Sequence, residues 1–495
     1  MRRLRFRDTE LAGIALLTAA AGLFVNDWVV AAAILVYWLG FKLLITGDRI
    51  PVLLLAFTFQ WMQVTIGLFY YRVFGREVPT IYMSDYRPMV LIGLGCVLAL
   101  AIGLRAGAAL MRRRVFDLDP DNRRVGIVSW SVLITAYALT VVGESTLLQL
   151  SDAYPSLRQI FTTLTVVRLG MLFLVMRRLT YPTFRWMPFT LLLAFEVAMG
   201  FTGFFAGFRE PLVLAVLALL EIFDHRRTAH LVSLAAMIAV MIAAAVMWMG
   251  VRDTYRRDFS QIDTFATSQG ARMDRITSLG SRFFRQDGGA MLDTLDSLVD
   301  RLWVVYYPAL AVARVPSVLP HTDGSILSAA LIHVVTPRVF FPDKAPLPSD
   351  SEMVRKYAGV WVAGRDEGTT IAFGYAAESY VDFGVPMMFL PVAVFGFVMG
   401  MAYAWFVRTI WHRELAVATV TVVFWLSLYL FERSWAQTIG FAMSFIVYLG
   451  LPVVFVDAMV LRPQTERRMR SLARTPDLTP DALTETAPVG GDRFA

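Results

Sequence analysis

The chain is poor in charge. Asp, Glu, Lys and Arg make up 17% of its 495 residues, where a soluble protein carries about 25%. With 57% hydrophobic residues and a mean hydropathy of +0.58, that deficit excludes an ordinary soluble domain. Cysteine is nearly absent: the one present, Cys96, sits inside an apolar run, so no intramolecular disulfide can form. The five histidines are dispersed, with neither HExxH nor any other zinc-ligand spacing. Walker-type and G-x-G-x-x-G phosphate loops are missing, which argues against a nucleotide-driven activity. No G-x-S-x-G nucleophile elbow occurs. No DxD-like motif occurs in the early connections expected to face outward, which argues against a metal-dependent polyprenyl-phosphate-sugar transferase.

What the chain has in quantity is apolar runs near the bilayer-spanning length of about 20 residues. They fall at 11–25, 28–46, 51–71, 88–111, 125–148, 157–176, 186–205, 209–223 and 231–250, then at 385–407, 415–431 and 436–456. The expected fold is an all-α polytopic membrane protein with about 12 transmembrane helices and one large loop subdomain. Residues 1–250 carry helices 1–9, 251–384 the loop subdomain, 385–461 helices 10–12, and 462–495 a tail. That tail is rich in Thr, Pro, Asp and Ala and reads as disordered.

The net charge of +7 does not point to nucleic acid. The positives cluster at helix ends: Arg112 to Arg114, Arg123, Arg124, Arg177, Arg178, Arg226, Arg227, Arg408, Arg413 and Arg467. All fall on one side when the N-terminus is cytoplasmic, as the positive-inside rule requires. Both termini are then cytoplasmic and the loop 251–384 faces outward. Arg2 to Arg7 before an apolar run imitates a signal peptide, but no small-residue cleavage site follows, so the first helix is expected to be retained.

Within the loop, 289–315 has helical spacing of Leu292, Leu295, Leu298, Val299, Leu302, Trp303 and Tyr306, with Asp293, Asp296 and Asp300 as a polar face. This helix is expected to pack on the bundle. The apolar stretch 326–335 is too short to span and reads as interfacial or re-entrant.

Some charges sit where a membrane should not tolerate them. The run 211–223 is too short to cross about 30 Å, so its helix is expected to start upstream and draw Arg209 to or below the outer surface. Arg209 is a functional candidate on that ground, with snorkelling as the bland alternative. Arg168 and Glu196 read as a structural ion pair between neighbouring helices. Arg252 and Arg256 follow a helix on the outer side, against the charge bias. Their planar forks suit phosphate oxygens, and Arg338 and Lys344 between prolines carry the same argument. The competing roles are lipid head-group anchors and a solvated turn. His333, Glu378 and Asp382 are the acid–base candidates, with Glu378 and Asp382 four apart on one helical face. Against these stand an ion-pair role for Glu378 and simple packing for His333.

The features above, with three short motifs, resemble the Wzy-type O-antigen and oligosaccharide repeat-unit polymerases, which are related to the O-antigen ligases. GFRE at Gly207 to Glu210 looks like that family's Gly-x-Arg helix opening. TPRVFFPDKAP looks like its Pro-Arg and Lys-Pro features, although Ala345 separates Lys344 from Pro346. TTIAFGYAAESYVDFG, 369–384, looks like Glu-x-Tyr-x-x-Phe-Gly and adds Tyr380 to the substrate-binding set. The resemblance implies a GT-C-like bundle in the bacterial inner membrane with a periplasmic subdomain. It implies inverting glycosyl transfer that needs neither cofactor nor metal. The donor would be a glycan on undecaprenyl diphosphate and the acceptor a second lipid-linked repeat unit. Arg209, Arg252, Arg256 and Arg338 would bind the diphosphate, with Glu378 or His333 as base. Membrane lipid, a chain-length regulator and a flippase are the partners implied. An O-antigen ligase, or a transporter of lipid-linked oligosaccharide, are the alternative activities.

Overall fold

The computed structural model describes residues 8–25, 27–45, 50–74, 86–114, 129–180, 184–201, 207–224, 226–260, 277, 281, 288–337, 340–341, 343–364 and 370–473. Among the described residues there are helices and connections but no strand. The first ten helices are α1 Asp8–Val25, α2 Trp28–Leu44, α3 Val52–Val73, α4 Arg87–Arg114, α5 Trp130–Ala153, α6 Arg158–Thr165, α7 Val167–Thr180, α8 Trp186–Phe201, α9 Arg209–Glu221 and α10 Thr228–Ser260. Then come α11 Gly288–Leu302, α12 Tyr306–Arg314, α13 Ser325–Val335, α14 Tyr375–Phe383, α15 Phe389–Thr409, α16 Arg413–Leu428 and α17 Trp435–Ser444. α17 runs on through two π-helical stretches to Ala473.

Among the described residues, 7 helices are long and apolar enough to cross a membrane. Two expected spans differ in kind from these. α9 has 13 residues, and at 1.5 Å per residue rises only about 20 Å. α16 has 16 residues, and from Ala416 to Leu428 every one is buried. Both are enclosed by other helices, so their length is set by the bundle rather than by lipid. α9 also begins at Arg209 itself, after a turn at Gly207 and Phe208, and not upstream as the span-length argument expects.

The tightest crossing is between α4 and α15. Gly103 and Gly107 on α4 face the carbonyls of Ala393 and Phe397. Gly396 and Gly400 on α15 face those of Leu100 and Leu104. A Cβ at any of the four would collide with backbone. Two small-xxx-small stripes thus let the helix backbones touch, which is how helices associate when lipid is as apolar as their side chains. The spacing was there to be read in both apolar runs, but it is lost in a search for charge.

The expected ion pair is present: Arg168 bonds Glu196, which is fully buried, and also reaches Glu144 at 2.5 Å. Tyr137 donates to the same Glu196. The expected helix 289–315 is split by a break at Trp303 to Val305. Trp303 is buried against α3 and donates to the Val64 carbonyl at 2.9 Å. Its partner strip is polar as well. Tyr70 and Tyr71 of α3 donate to Asp296 and Asp300 at 2.5 and 2.6 Å, so part of the acidic face meets the bundle. A small separate core joins α12, α14 and residues 353–362 through Ala311, Val315, Val354, Tyr357, Phe373 and Val381.

Candidate functional site

Two glutamines in the apolar α3 set up the site. Gln63 accepts the Phe431 N–H at 2.8 Å, and Gln60 donates to the Leu428 carbonyl. Gln60 also accepts the Tyr375 hydroxyl at 2.7 Å, and the Tyr375 N–H donates to the Arg433 carbonyl at 2.6 Å. Backbone that leaves the helical path inside an apolar bundle needs such internal partners. The connection between α16 and α17 is therefore strapped to α3 on one side and α14 on the other.

This connection carries the charge. Arg209, first residue of α9, donates to Glu210 at 2.6 Å and to the Tyr429 hydroxyl at 2.7 Å. Its guanidinium lies 5.0 Å from the Tyr429 ring centre, and Arg433 lies at the same distance from that ring. Trp425 stacks on Tyr429 with centroids 4.8 Å apart and 18° between planes, which fixes the ring. Arg433 also stacks on Phe441 at 4.5 Å and donates to the Leu426 carbonyl. Glu432 pairs with Arg301 of α11 at 3.2 Å. Burial is the first cause that pulls the Arg433 pKa down, and the like charge of Arg209 adds to it, while Tyr429 and Glu432 oppose. The group holds three arginines and two glutamates, and 42% of the Arg209 side chain is still exposed. An anion arriving there meets preorganised donors and relieves the repulsion between the two stacked guanidinium groups.

Glu378 is tied to the same connection through its backbone. It is buried on α14, and its carboxyl oxygen accepts the Trp435 N–H at 2.6 Å, two residues beyond Arg433. Burial, with smaller contributions from Asp350 and Asp382 and against the Trp435 bond, pushes its pKa up to about 8. Asp350 is buried too and accepts from Gln437 at 3.1 Å.

The other sequence candidates divide by position. Asp382 shares α14 with Glu378, but its oxygens take the Thr322 hydroxyl at 2.5 Å and the N–H groups of Ile326 and Leu327 at 3.1 and 2.8 Å. It caps the start of α13. Lys344 caps the other end, donating to the carbonyls of His333 and Thr336 at 2.6 and 2.7 Å. Tyr380 donates to the Val315 carbonyl at 3.0 Å and meets His321 edge-on. These three hold the subdomain together. His333 is half-buried on α13. Arg252 and Arg256 lie on α10 with side chains outside the described residues, and Arg338 lies outside the described residues altogether. Sequence reasoning passes over Tyr429, Glu432, Arg433 and Asp350. The signal was the Glu-Arg-Ser-Trp interruption, 432–435, between two apolar runs.

Residues 108–405, more than half of the chain, match the family model described as Domain of unknown function (DUF8712), and the chain belongs to that family. No curated protein and no solved structure matches the chain.

Proposed function

We propose that this member of the DUF8712 family is a membrane glycosyltransferase. It polymerises undecaprenyl-diphosphate-linked oligosaccharide repeat units into O-antigen or exopolysaccharide at the periplasmic face. The observation that carries this reading is the pair Arg209 and Arg433 on one tyrosine ring, in a connection whose Trp435 N–H is held by the buried carboxyl of Glu378. In the reaction the acceptor hydroxyl oxygen forms a bond to the donor sugar's anomeric carbon. The bond from that carbon to the diphosphate oxygen breaks, and the electron pair leaves with the diphosphate. Charge then grows on the diphosphate, where fixed guanidinium donors stabilise it most. The acceptor's proton goes to Glu378. With its pKa near 8, this carboxyl is protonated in the free protein at neutral pH. It can act as base only once that proton has left.

The topology that accompanies this reading has about 12 spans, with the subdomain in the periplasm and both termini in the cytoplasm. Its support is the separation of charge along enclosed helices. α9 ends at Glu221, which takes Arg177 at 2.7 Å, and α16 starts beside Glu414, 3.5 Å from Arg178. The Arg209 group is at the opposite ends of the same two helices.

The test uses purified protein with lipid-linked repeat units as donor and acceptor. Wild type is expected to form longer glycans, faster as pH rises through about 8. Glu378→Gln is expected to bind donor and form none. Donor consumed only in the presence of a lipid A-type acceptor would make the activity a ligase. Donor moved across vesicles without a new glycosidic bond would make it a transporter and overturn the proposal.

A further inference from the structure

α13 is a helix of 11 residues, apolar in composition, whose two ends are both closed by charged side chains. The Asp382 carboxylate takes the first free N–H groups, and the Lys344 ammonium takes carbonyls at the end. With both ends closed by side chains of matching charge, these groups need no water, as a helix set in a lipid interface requires. Among the described residues, none covers the helix's outer face. Ile332 is 63% exposed, Val335 66% and Phe340, just beyond the helix, 76%. Leu331 and Phe341 extend this face.

Exposure follows a gradient of polarity. Near the start, Ser325, Ser328 and Ala329 are exposed, and the Ser328 hydroxyl is spent on the Ser325 carbonyl. Toward the end they give way to Ile332, Val335 and the two phenylalanines. The inner face of α13 packs on α17, the first part of the membrane-spanning helix Trp435–Arg467, with Val334 against Gly440. Phe441 and Met443 of α17 are themselves exposed, so the apolar surface of the span continues onto α13. Asp343 is exposed just past Phe341. A charge so close keeps the segment in the interfacial zone, about 5–10 Å deep, rather than across the membrane.

We infer that α13 and the Phe340–Phe341 turn are a lipid-inserted foot of the subdomain. Their occupant is the acyl-chain region of the leaflet on the subdomain's side, with the Ser325 end at the head groups. The inference does not rest on the glycosyl-transfer reading. It explains why Asp382 and Lys344 are spent on helix ends.

The test places single cysteines at Ser328, Ile332, Val335 and Phe340, with Lys356→Cys as a water-facing control on the same subdomain. Cys96 is fully buried in the native protein, so the unmutated chain reports background labelling. Each cysteine is labelled with bimane, and the protein is reconstituted into phosphatidylethanolamine–phosphatidylglycerol vesicles. Doxyl-labelled lipid and aqueous iodide serve as quenchers. Lipid is expected to quench Ile332, Val335 and Phe340 severalfold more than Lys356, with Ser328 between, and iodide to show the reverse order. Iodide quenching at Ile332 and Val335 equal to that at Lys356 would mean a wet face and overturn the inference. Protection from both quenchers would mean that protein covers the face, a second copy included, and would overturn it as well. Neither outcome depends on turnover, so each is distinct from failure of the proposed activity.

Discussion

The α4–α15 crossing and the 429–435 connection are both tightly packed, by opposite means. At the crossing, side chains are removed: four glycines bring backbone onto backbone. At the connection, polar side chains are added: Gln60, Gln63, Glu378 and Tyr375 each take a backbone group or another polar partner. The reason lies in what each region must satisfy. A pair of intact helices has no free backbone groups and can gain only by closer contact. A connection that leaves the helical path frees N–H and carbonyl groups, and an unsatisfied one costs several kcal/mol in apolar surroundings. The first kind of region resists change in volume and the second resists change in chemistry. Arg433 sits in the second, where the bent backbone brings it onto the ring that Arg209 of α9 also faces.

The largest effect should come from the crossing. Gly400→Leu puts a side chain where the Leu104 carbonyl already lies, and overpacking of this kind costs about 1–3 kcal/mol or more. Because the obstacle is backbone, the upper end applies, and the variant is expected not to accumulate in membranes. Gly440→Ala is the control, since a Cβ there meets only Val334 at 3.7 Å. Membrane levels by immunoblot decide; equal levels would mean that the crossing can open, and the contrast between the regions would fall.

Next come Arg209→Lys and Arg433→Lys. An ammonium keeps the charge but loses the planar fork and the stacking on Tyr429. Each variant is expected to accumulate normally and to lose a hundredfold or more in turnover, about 2.7–4 kcal/mol for one transition-state donor. Wild-type turnover would take both arginines out of the mechanism and leave the site as a structural cluster.

Third is Gln63→Leu. It has similar volume and suits an apolar helix, yet it leaves the Phe431 N–H without its acceptor. A loss of about 1–3 kcal/mol is expected, seen as a lower melting temperature in detergent. An unchanged melting temperature would mean that the stitching is not needed.

Much of this was legible in the sequence, and what was missed has a physical cause. Hydropathy reveals helices but not which ones lipid touches, so α9 and α16, which are enclosed, read no differently from helices at the rim. Charge in an apolar context revealed Arg209, Arg168 and Glu196, because a membrane penalises each alone. The hydrogen bonds of Asp382, Lys344 and Tyr380 were not legible, because tying down backbone uses the same donors and acceptors as meeting a substrate. Arg433 was hidden by brevity: three polar residues between apolar runs look like any turn. The glycine stripes carry no charge at all, and only the partner helix shows what they are for.

The last effect is a slope rather than a step, small over any one pH unit, and it separates chemistry from volume at one residue. The folded protein holds Glu378 at a pKa of about 8, against 4.5 for an ordinary glutamate. Below pH 4.5 the folded and unfolded chains both carry the proton, and the native state bears no penalty. As pH rises from 4.5 to about 8 the unfolded chain ionises while the folded one does not, so stability falls across that window. The fall is at most about 1.4 kcal/mol for each pH unit. Glutamine at 378 keeps an oxygen for the Trp435 N–H and has no proton to lose. Glu378→Gln is therefore expected to melt with a flatter pH dependence than wild type over that window and to be relatively more stable toward its alkaline end. Parallel melting curves for the two proteins would mean that Glu378 ionises freely in the folded state. The connection would then be held by geometry alone, as the α4–α15 crossing is.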